Sequence, residues 1–277
     1  MKIGIGSYTY TWSIGVRGHA PDRPMTASDL LSKANEMGAE VVQICDNVPL
    51  HKLSESEIAS VRAYADSSNI EIEVGTRGVK PHHMITYLTI AKQLGSRLVR
   101  VVIDTEDDHP RDQEVVARIK SVLPEFERSG VAIAIENHDR FPARSLARIV
   151  ETVGSPFVGI CLDTVNSFGA LEGPEVVIET LAHLTLSLHL KDFEIRRADH
   201  QMGFVIEGTP LGKGRLDVPW LLDRIRSAGR DPNAIIELWT PPEEKLSQTI
   251  AKEDAWAHES FLFLRELTNA AHNAPPR

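Results

Sequence analysis

The chain has 277 residues, 42% of them hydrophobic and 25% charged, with a formal net charge of −9. That length suits one large domain or two small ones, and ordinary apolar content without low-complexity or single-sign tracts excludes disorder. No run of about 18 apolar residues occurs, which excludes a helical membrane span, and the acidic balance argues against a nucleic-acid backbone as the main partner.

In chain order, short β-branched runs alternate with amphipathic stretches. The first strand is expected over Ile3–Tyr8. The segment Met1–Tyr10 is too polar for a signal-peptide core, so a cytoplasmic location is expected. Trp12, Tyr8 and Tyr10 follow the strand and suit an apolar wall against a sugar face, although Tyr8 and Trp12 suit a core role equally. Thr26-Ala27-Ser28-Asp29 caps a helix that stops at Met37-Gly38, and a strand follows at Val41–Cys45. Ser54-Glu55-Ser56-Glu57 resembles a capping box opening a helix to Ser68.

Next come a strand at Ile70–Val74 and a helix at Pro81–Leu94 that stops at Gly95, with His82-His83 expected on its exposed start. The strand Leu98–Ile103 carries Arg100 on the face of Val102 and Asp104, so Arg100 either pairs inside or reaches a substrate. A helix at Arg111–Ser129 ends at Gly130; strands at Val131–Glu136 and Val158–Asp163 flank a helix at Ala143–Val153. The remaining elements are a helix at Pro174–His183, a strand at Leu186–Leu190, a helix at Val218–Ala228, a strand at Ile235–Leu238 and a helix at Thr249–Leu267. Cys45 and Cys161 lie far apart and read as buried small residues rather than a disulfide framework. Strands of about 4–6 near-continuously apolar residues are those of a parallel sheet covered on both faces. Their starts recur about every 33 residues, the size of one strand–helix unit. Eight such units without a linker predict a single-domain (β/α)8 barrel over residues 1–277.

The active site of such a barrel lies where strands end. Four consecutive strands end on Glu136, Asp163, His189 and Glu237. Residues two apart share a strand face, so Glu136 lies with Ala134 and Ala132, Asp163 with Cys161 and Gly159, and His189 with Ser187. The opposite faces carry Ile and Leu for the helices to cover, which turns the polar ends into the barrel mouth. Strand eight fits less well, because Ile235 shares the face of Glu237.

Three carboxylates and one imidazole at one mouth repel each other without a cation. Their oxygen-rich set favours Mn²⁺, with Mg²⁺, Co²⁺, Fe²⁺ or Zn²⁺ also accommodated. A Lewis acid beside paired carboxylates suits enediolate chemistry on a small polyhydroxy carbonyl compound.

The stretches Ile135-Glu136-Asn137-His138, Leu162-Asp163-Thr164-Val165-Asn166, Leu188-His189-Leu190-Lys191-Asp192, Pro210-Leu211-Gly212-Lys213-Gly214 and Ile236-Glu237-Leu238 carry a resemblance. The whole chain is similar to the xylose-isomerase-like TIM-barrel superfamily of sugar phosphate isomerases and epimerases. The resemblance implies that Glu136, Asp163, His189 and Glu237 hold a divalent metal. It also implies that Glu136 and Glu237 exchange the proton, as in the family's ketose 3-epimerases, and that a homodimer or homotetramer forms. Asn166 stands where many epimerases carry a substrate-contacting His; it hydrogen-bonds but does not titrate. The endonuclease branch fits poorly, because its Asp-Arg-His run is absent and Asp199-His200 is a faint echo.

The remaining candidates for substrate contact are Asn166, Lys191, Arg215, Trp12 and His138. Lys191 and Asp192 follow His189, and residues 193–216 form a long connection suited to a lid. Arg196, Arg197, Lys213 and Arg215 there offer charge to an anionic sugar acid or phosphate. The first expectation is a metal-dependent isomerase or epimerase of a small sugar or keto-sugar. The alternative, implied by resemblance to 3-oxo-isoapionate decarboxylases, is a metal-dependent decarboxylase of a 3-oxo sugar acid.

Overall fold

Eight of the short apolar runs close on themselves in the computed structural model, which describes residues 1–273. The strands are β1 (Ile3–Gly6), β2 (Val41–Ile44), β3 (Glu71–Arg77), β4 (Leu98–Val102), β5 (Ala132–Glu136), β6 (Val158–Asp163) and β7 (Thr185–Leu190). Then come β8 (Asp192–Arg197), β9 (Phe204–Thr209) and β10 (Asn233–Ile236). The barrel runs β1-β10-β7-β6-β5-β4-β3-β2 with every neighbour parallel, while β8 and β9 form a separate antiparallel hairpin. The helices are α1 (Thr11–Ile14), α2 (Ala27–Met37), α3 (Glu55–Ser67), α4 (Pro81–Leu94), α5 (Asp112–Ser129) and α6 (Ala143–Val153). They continue with α7 (Pro174–Leu181), α8 (Val218–Ser227) and α9 (Leu246–Asn273). Among the described residues no helix is long and apolar enough to cross a membrane.

Local chemistry sets the helix ends as the sequence implies. Thr26 and Ser54 each close a capping box on α2 and α3. Gly38, Gly95, Gly130 and Gly154 end α2, α4, α5 and α6 in the left-handed conformation, where a Cβ is disfavoured. The main core lies between barrel and helices and includes Ile5, Val42, Ile133, Ile160 and Leu188. Leu98, Ala134 and Cys161 form a second, small cluster.

Of the places where the structure departs from expectation, four bear on the site. Strand β1 stops at Gly6, because Ser7–Thr9 turn as a 3-10 helix whose Thr9 hydroxyl accepts from Gly6 N at 2.9 Å. Strand β3 continues to Arg77 beyond Gly75, whose hydrogen-bonded register with β4 outweighs its turn propensity. Glu237 lies one residue past β10. Residues 193–216 are not an irregular loop: most of the segment belongs to the β8–β9 hairpin. His83 is another correction. It is half-buried, with Nε2 2.7 Å from Thr76 Oγ1 and its ring 4.8 Å from that of Tyr87.

Ile235 fits inside the barrel because its neighbours on β1 are glycines. A Cβ on Gly6 would come 3.1 Å from Ile235 Cγ2 and 3.5 Å from Glu237 Oε1. At Gly4 a Cβ would fall 1.8 Å from the Val41 carbonyl oxygen, which is backbone and cannot rotate away. Gly4→Ala is therefore expected to cost about 3 kcal/mol by overpacking. Thermal unfolding should show this as a melting temperature lowered by about 6–12 °C; an unchanged midpoint would contradict it.

Candidate metal centre and its cavity

The ends of β5, β6 and β7, and the residue after β10, bring Glu136, Asp163, His189 and Glu237 together. All four side chains are fully buried. His189 Nδ1 lies 3.3 Å from Glu136 Oε2, 3.3 Å from Glu237 Oε1 and 3.7 Å from Asp163 Oδ2. A register shift in the β6–β7 ladder after Ile160 places Cys161 beside Ser187 and Asp163 beside His189. That bulge aligns the two polar ends on one face.

Three of the four ligand candidates are oriented by hydrogen bonds to neighbours. His189 Nε2 lies 2.7 Å from Gln43 Oε1, and Gln43 Nε2 donates to Glu73 Oε2 at 2.8 Å. Glu73 also accepts from Ser187 Oγ and Asn233 Nδ2. With the amide so fixed, His189 donates from Nε2 and turns Nδ1 toward the carboxylates, the usual support for a ligating imidazole. Asp163 Oδ1 accepts the backbone N–H of Val165 and of Asn166 at 2.9 Å each, so Oδ2 is left to face the centre. Glu136 accepts from Arg100 Nε at Oε2 and from Asn166 Nδ2 at Oε1, the latter at 2.7 Å.

Asp163 Oδ2, His189 Nδ1 and both Glu237 oxygens are buried without a hydrogen-bond partner. Buried polar atoms rarely stay so. Lys191 Nζ comes 2.9 Å from Asp163 Oδ2 and 2.9 Å from Glu237 Oε2, ion-pair distances without hydrogen-bond alignment. The ligand atoms of Asp163, His189 and Glu237 all lie within 4.8 Å of one another, as do those of Glu136, Cys161 and His189. Oxygens and nitrogens sharing a hard divalent ion at about 2.1 Å stand about 3 Å apart when cis. The orphaned atoms and their spacing therefore fit a divalent cation, and the group could hold one.

The charges respond to one another. Burial alone would raise the Glu136 and Asp163 carboxyls, but Arg100 holds Glu136 low and Lys191 with His189 holds Asp163 low. Burial opposes the Lys191 ammonium, yet Asp163, Glu237 and Glu136 keep it protonated well above an ordinary lysine. His189 is raised in the same way: burial opposes its charge, while Cys161, Glu237 and Glu136 favour it. Burial pushes the Cys161 thiol up to about 11, so it stays neutral beneath the carboxylates.

A cavity of about 560 Å³ opens over this centre, lined by Tyr8, Trp12, Arg77, Arg100, Glu136, His138, Asn166 and Lys191, among others. Four of the five residues expected at a substrate thus line it: Trp12, His138, Asn166 and Lys191. Arg215 does not. It pairs with Glu194 of β8 at 2.9 Å and lines a separate hollow with Trp220 and Val176. The other basic residues of the connection are also drawn off: Arg196 pairs with Glu207, Lys213 with Glu259, and Arg197 stacks on Phe204. Tyr10 is core, its hydroxyl 3.1 Å from Asp254 Oδ1. Asp192 organises the hairpin base by accepting from Gly212, Gly214, Leu216 and its neighbour Phe193.

Sequence reasoning missed Arg77, Asp46 and Gln43. Arg77 Nε is 3.4 Å from Asp46 Oδ2, and its Nη2 is 3.4 Å from His138 Nε2. Only the polar character of Gln43 inside Val41-Val42-Gln43-Ile44 could have signalled an inward role.

The sequence pattern of the xylose isomerase-like TIM barrel family matches residues 31–267. The chain belongs to that family. Within the wider family it is similar to the 3-oxo-isoapionate decarboxylase of Pectobacterium atrosepticum, at 36% identity over 264 residues that cover 95% of each chain. Among solved structures, D-psicose 3-epimerase of Clostridium cellulolyticum with D-tagatose superposes at a TM-score of 0.72 and 16% identity, covering 96% of this chain and 99% of that one. A xylose isomerase-like barrel from Mycobacterium smegmatis in complex with magnesium superposes at 0.68 and 14% identity, covering 94% and 96%. These two likenesses concern the fold. The relatives so matched are thus a 3-oxo-isoapionate decarboxylase by sequence and, by fold, a D-psicose 3-epimerase.

Proposed function

We propose that the protein is a divalent-metal-dependent decarboxylase of a 3-oxo sugar acid. The observation that carries this reading is the pair of cations, Lys191 and Arg77, lining the same cavity as the buried ligand atoms. A keto acid presents a carboxylate for them to meet, which a neutral ketose lacks. The likeness to 3-oxo-isoapionate decarboxylase supports it.

Glu136, Asp163, His189 and Glu237 would hold the metal, with Mn²⁺ favoured by the oxygen-rich set. When bound, the ion supplies Lewis-acid polarisation of the substrate's carbonyl and adjacent hydroxyl oxygens. Arg77, steadied by Asp46, orients the carboxylate. As the bond to the carboxyl carbon breaks, its electron pair moves toward the ketone to give an enediolate, and CO₂ leaves. The α-carbon then takes a proton from the Lys191 ammonium, so that one acid anion and one proton become one ketone and one CO₂. Trp12, Tyr8 and, from the hairpin, Val205 and Ile206 line the cavity and would exclude water around a bound substrate, which gives residues 193–216 the part of a lid. The partner is thus a small sugar-acid substrate.

Isomerisation or epimerisation of a keto-sugar is the second reading, favoured by two carboxylates, Glu136 and Glu237, within reach of one His189 nitrogen. A panel of 3-oxo sugar acids and ketoses, tested with Mn²⁺ in deuterated water, separates them. The expected result is CO₂ from a 3-oxo acid. Epimerised, deuterated ketose with no CO₂ would overturn the decarboxylase reading.

A further inference from the structure

We propose that Glu253 is a positioning residue for the substrate: from α9 it clamps α1, so that the Trp12 indole stands as one wall of the cavity. For the identity of that substrate the proposal rests on the decarboxylase reading.

Trp12 lies in α1, a helix of four residues that makes a single turn. A turn of that length does not hold itself together, and its first amides have no partner inside the helix. Glu253 supplies those partners from 241 residues away along the chain. Its Oε1 accepts the Trp12 backbone N–H at 2.8 Å. Its Oε2 accepts the Ser13 backbone N–H at 3.0 Å and the Ser13 hydroxyl at 2.8 Å. Glu253 is 1% exposed, so these donors stand in place of water. Burial pushes its carboxyl up to about 7, while the Trp12 and Ser13 donors favour the charged form. A carboxylate at the first turn of a helix strengthens each such bond through its charge.

Packing alone does not fix this turn. Thr11, Trp12 and Val16 line the substrate cavity. Tyr10 and Ser13 of the same segment line a second cavity, of about 480 Å³, with residues of α2 and α9. The segment is thus a partition between two open spaces, and a strut is needed to hold it. The indole has an anchor of its own: Nε1 donates to the Thr240 carbonyl at 2.8 Å, and the ring meets that of His19 edge-on at 5.7 Å. Ring and backbone are pinned at separate points, and Glu253 supplies the pin at the start of the turn. Glu253 does not itself line the cavity, so its influence on a substrate passes through α1. In Glu253→Gln one acceptor oxygen becomes an N–H₂ donor, which meets a backbone N–H whichever way the amide turns.

The test uses the full chain, labelled with fluorotryptophan and loaded with Mg²⁺, at a pH about one unit above that of the Glu253 carboxyl, where it is ionised. The four tryptophans give four fluorine-19 signals, and Trp12→Phe assigns the one at issue. Glu253→Gln should shift or broaden the Trp12 signal and leave that of Trp220, on α8, in place. With Mn²⁺ and a 3-oxo sugar acid, it should raise KM by about ten-fold and hold kcat within about two-fold, the mark of lost uniform binding. In a Trp12→Ala background Glu253→Gln should change KM by less than about two-fold, because the clamp has no indole left to place. Ser13→Ala removes one donor and leaves both amides on the carboxylate. It should move the Trp12 signal by less, and it decides the matter if Glu253→Gln does not fold. A Trp12 signal unmoved in the folded variant overturns the proposal, as do KM effects that multiply in the double variant or a loss confined to kcat. Absence of CO₂ from every 3-oxo acid would sink the decarboxylase reading alone, since the fluorine signals need no substrate.

Discussion

Glu237→Gln is expected to lower CO₂ release by at least about 100-fold, since it removes a carboxylate that holds the proton donor Lys191 in place, and losses of about 100- to 10,000-fold accompany loss of a proton-transfer group. Glu237 would also be a ligand of the metal. Both Glu237 oxygens are buried without a hydrogen-bond partner, and Oε1 lies 3.3 Å from His189 Nδ1. Glutamine keeps the shape but replaces a charged oxygen with an N–H donor facing the site of a cation. The change also removes one of the carboxylates that hold Lys191 protonated. Turnover under saturating Mn²⁺, with metal affinity from calorimetry, measures both losses. A variant retaining a tenth of the activity would contradict the assignment.

Lys191→Met should separate proton delivery from metal binding. Its Nζ stands 2.9 Å from an oxygen of Asp163 and of Glu237, so it both neutralises these carboxylates and competes with a cation for them. Without it, Mn²⁺ affinity should hold or rise, while kcat falls by about 100- to 10,000-fold through loss of the acid. The two effects have opposite signs. A parallel loss of metal and turnover would mean that Lys191 only supports the centre; an unchanged kcat would remove it from the chemistry.

The strand-end residues were legible because a parallel barrel ties sequence position to place. Once Ala134, Cys161 and Ser187 were read as the inward face, Glu136, Asp163 and His189 had to meet at the mouth. Ile235 looked wrong beside Glu237 only because its space is provided by Gly6 on the neighbouring strand, a long-range fact. Arg77 was hidden because it lies past the apolar run Ile70–Val74, whereas pairing with β4 extends the strand to it. Arg215 misled for a different reason. Its charge was visible but its partner Glu194 was not placed until β8 and β9 paired as a hairpin. The support of His189 by Gln43 and Glu73 joins three strands, and no local pattern encodes it. The buried role of Arg100 was half legible: its inward face followed from alternation, and its partner required the barrel to close.

Everything proposed for the chemistry depends on Glu136, Asp163, His189 and Glu237 forming a catalytic divalent-metal centre. Removing bound metal with a chelator and titrating Mn²⁺ back while following CO₂ release from a 3-oxo sugar acid tests it most directly. Release should disappear on chelation and return in proportion to Mn²⁺ bound, saturating at about one ion per chain. Asp163→Asn should show neither binding nor recovery. Release that survives complete chelation, or metal binding that is undiminished in Asp163→Asn, would contradict it.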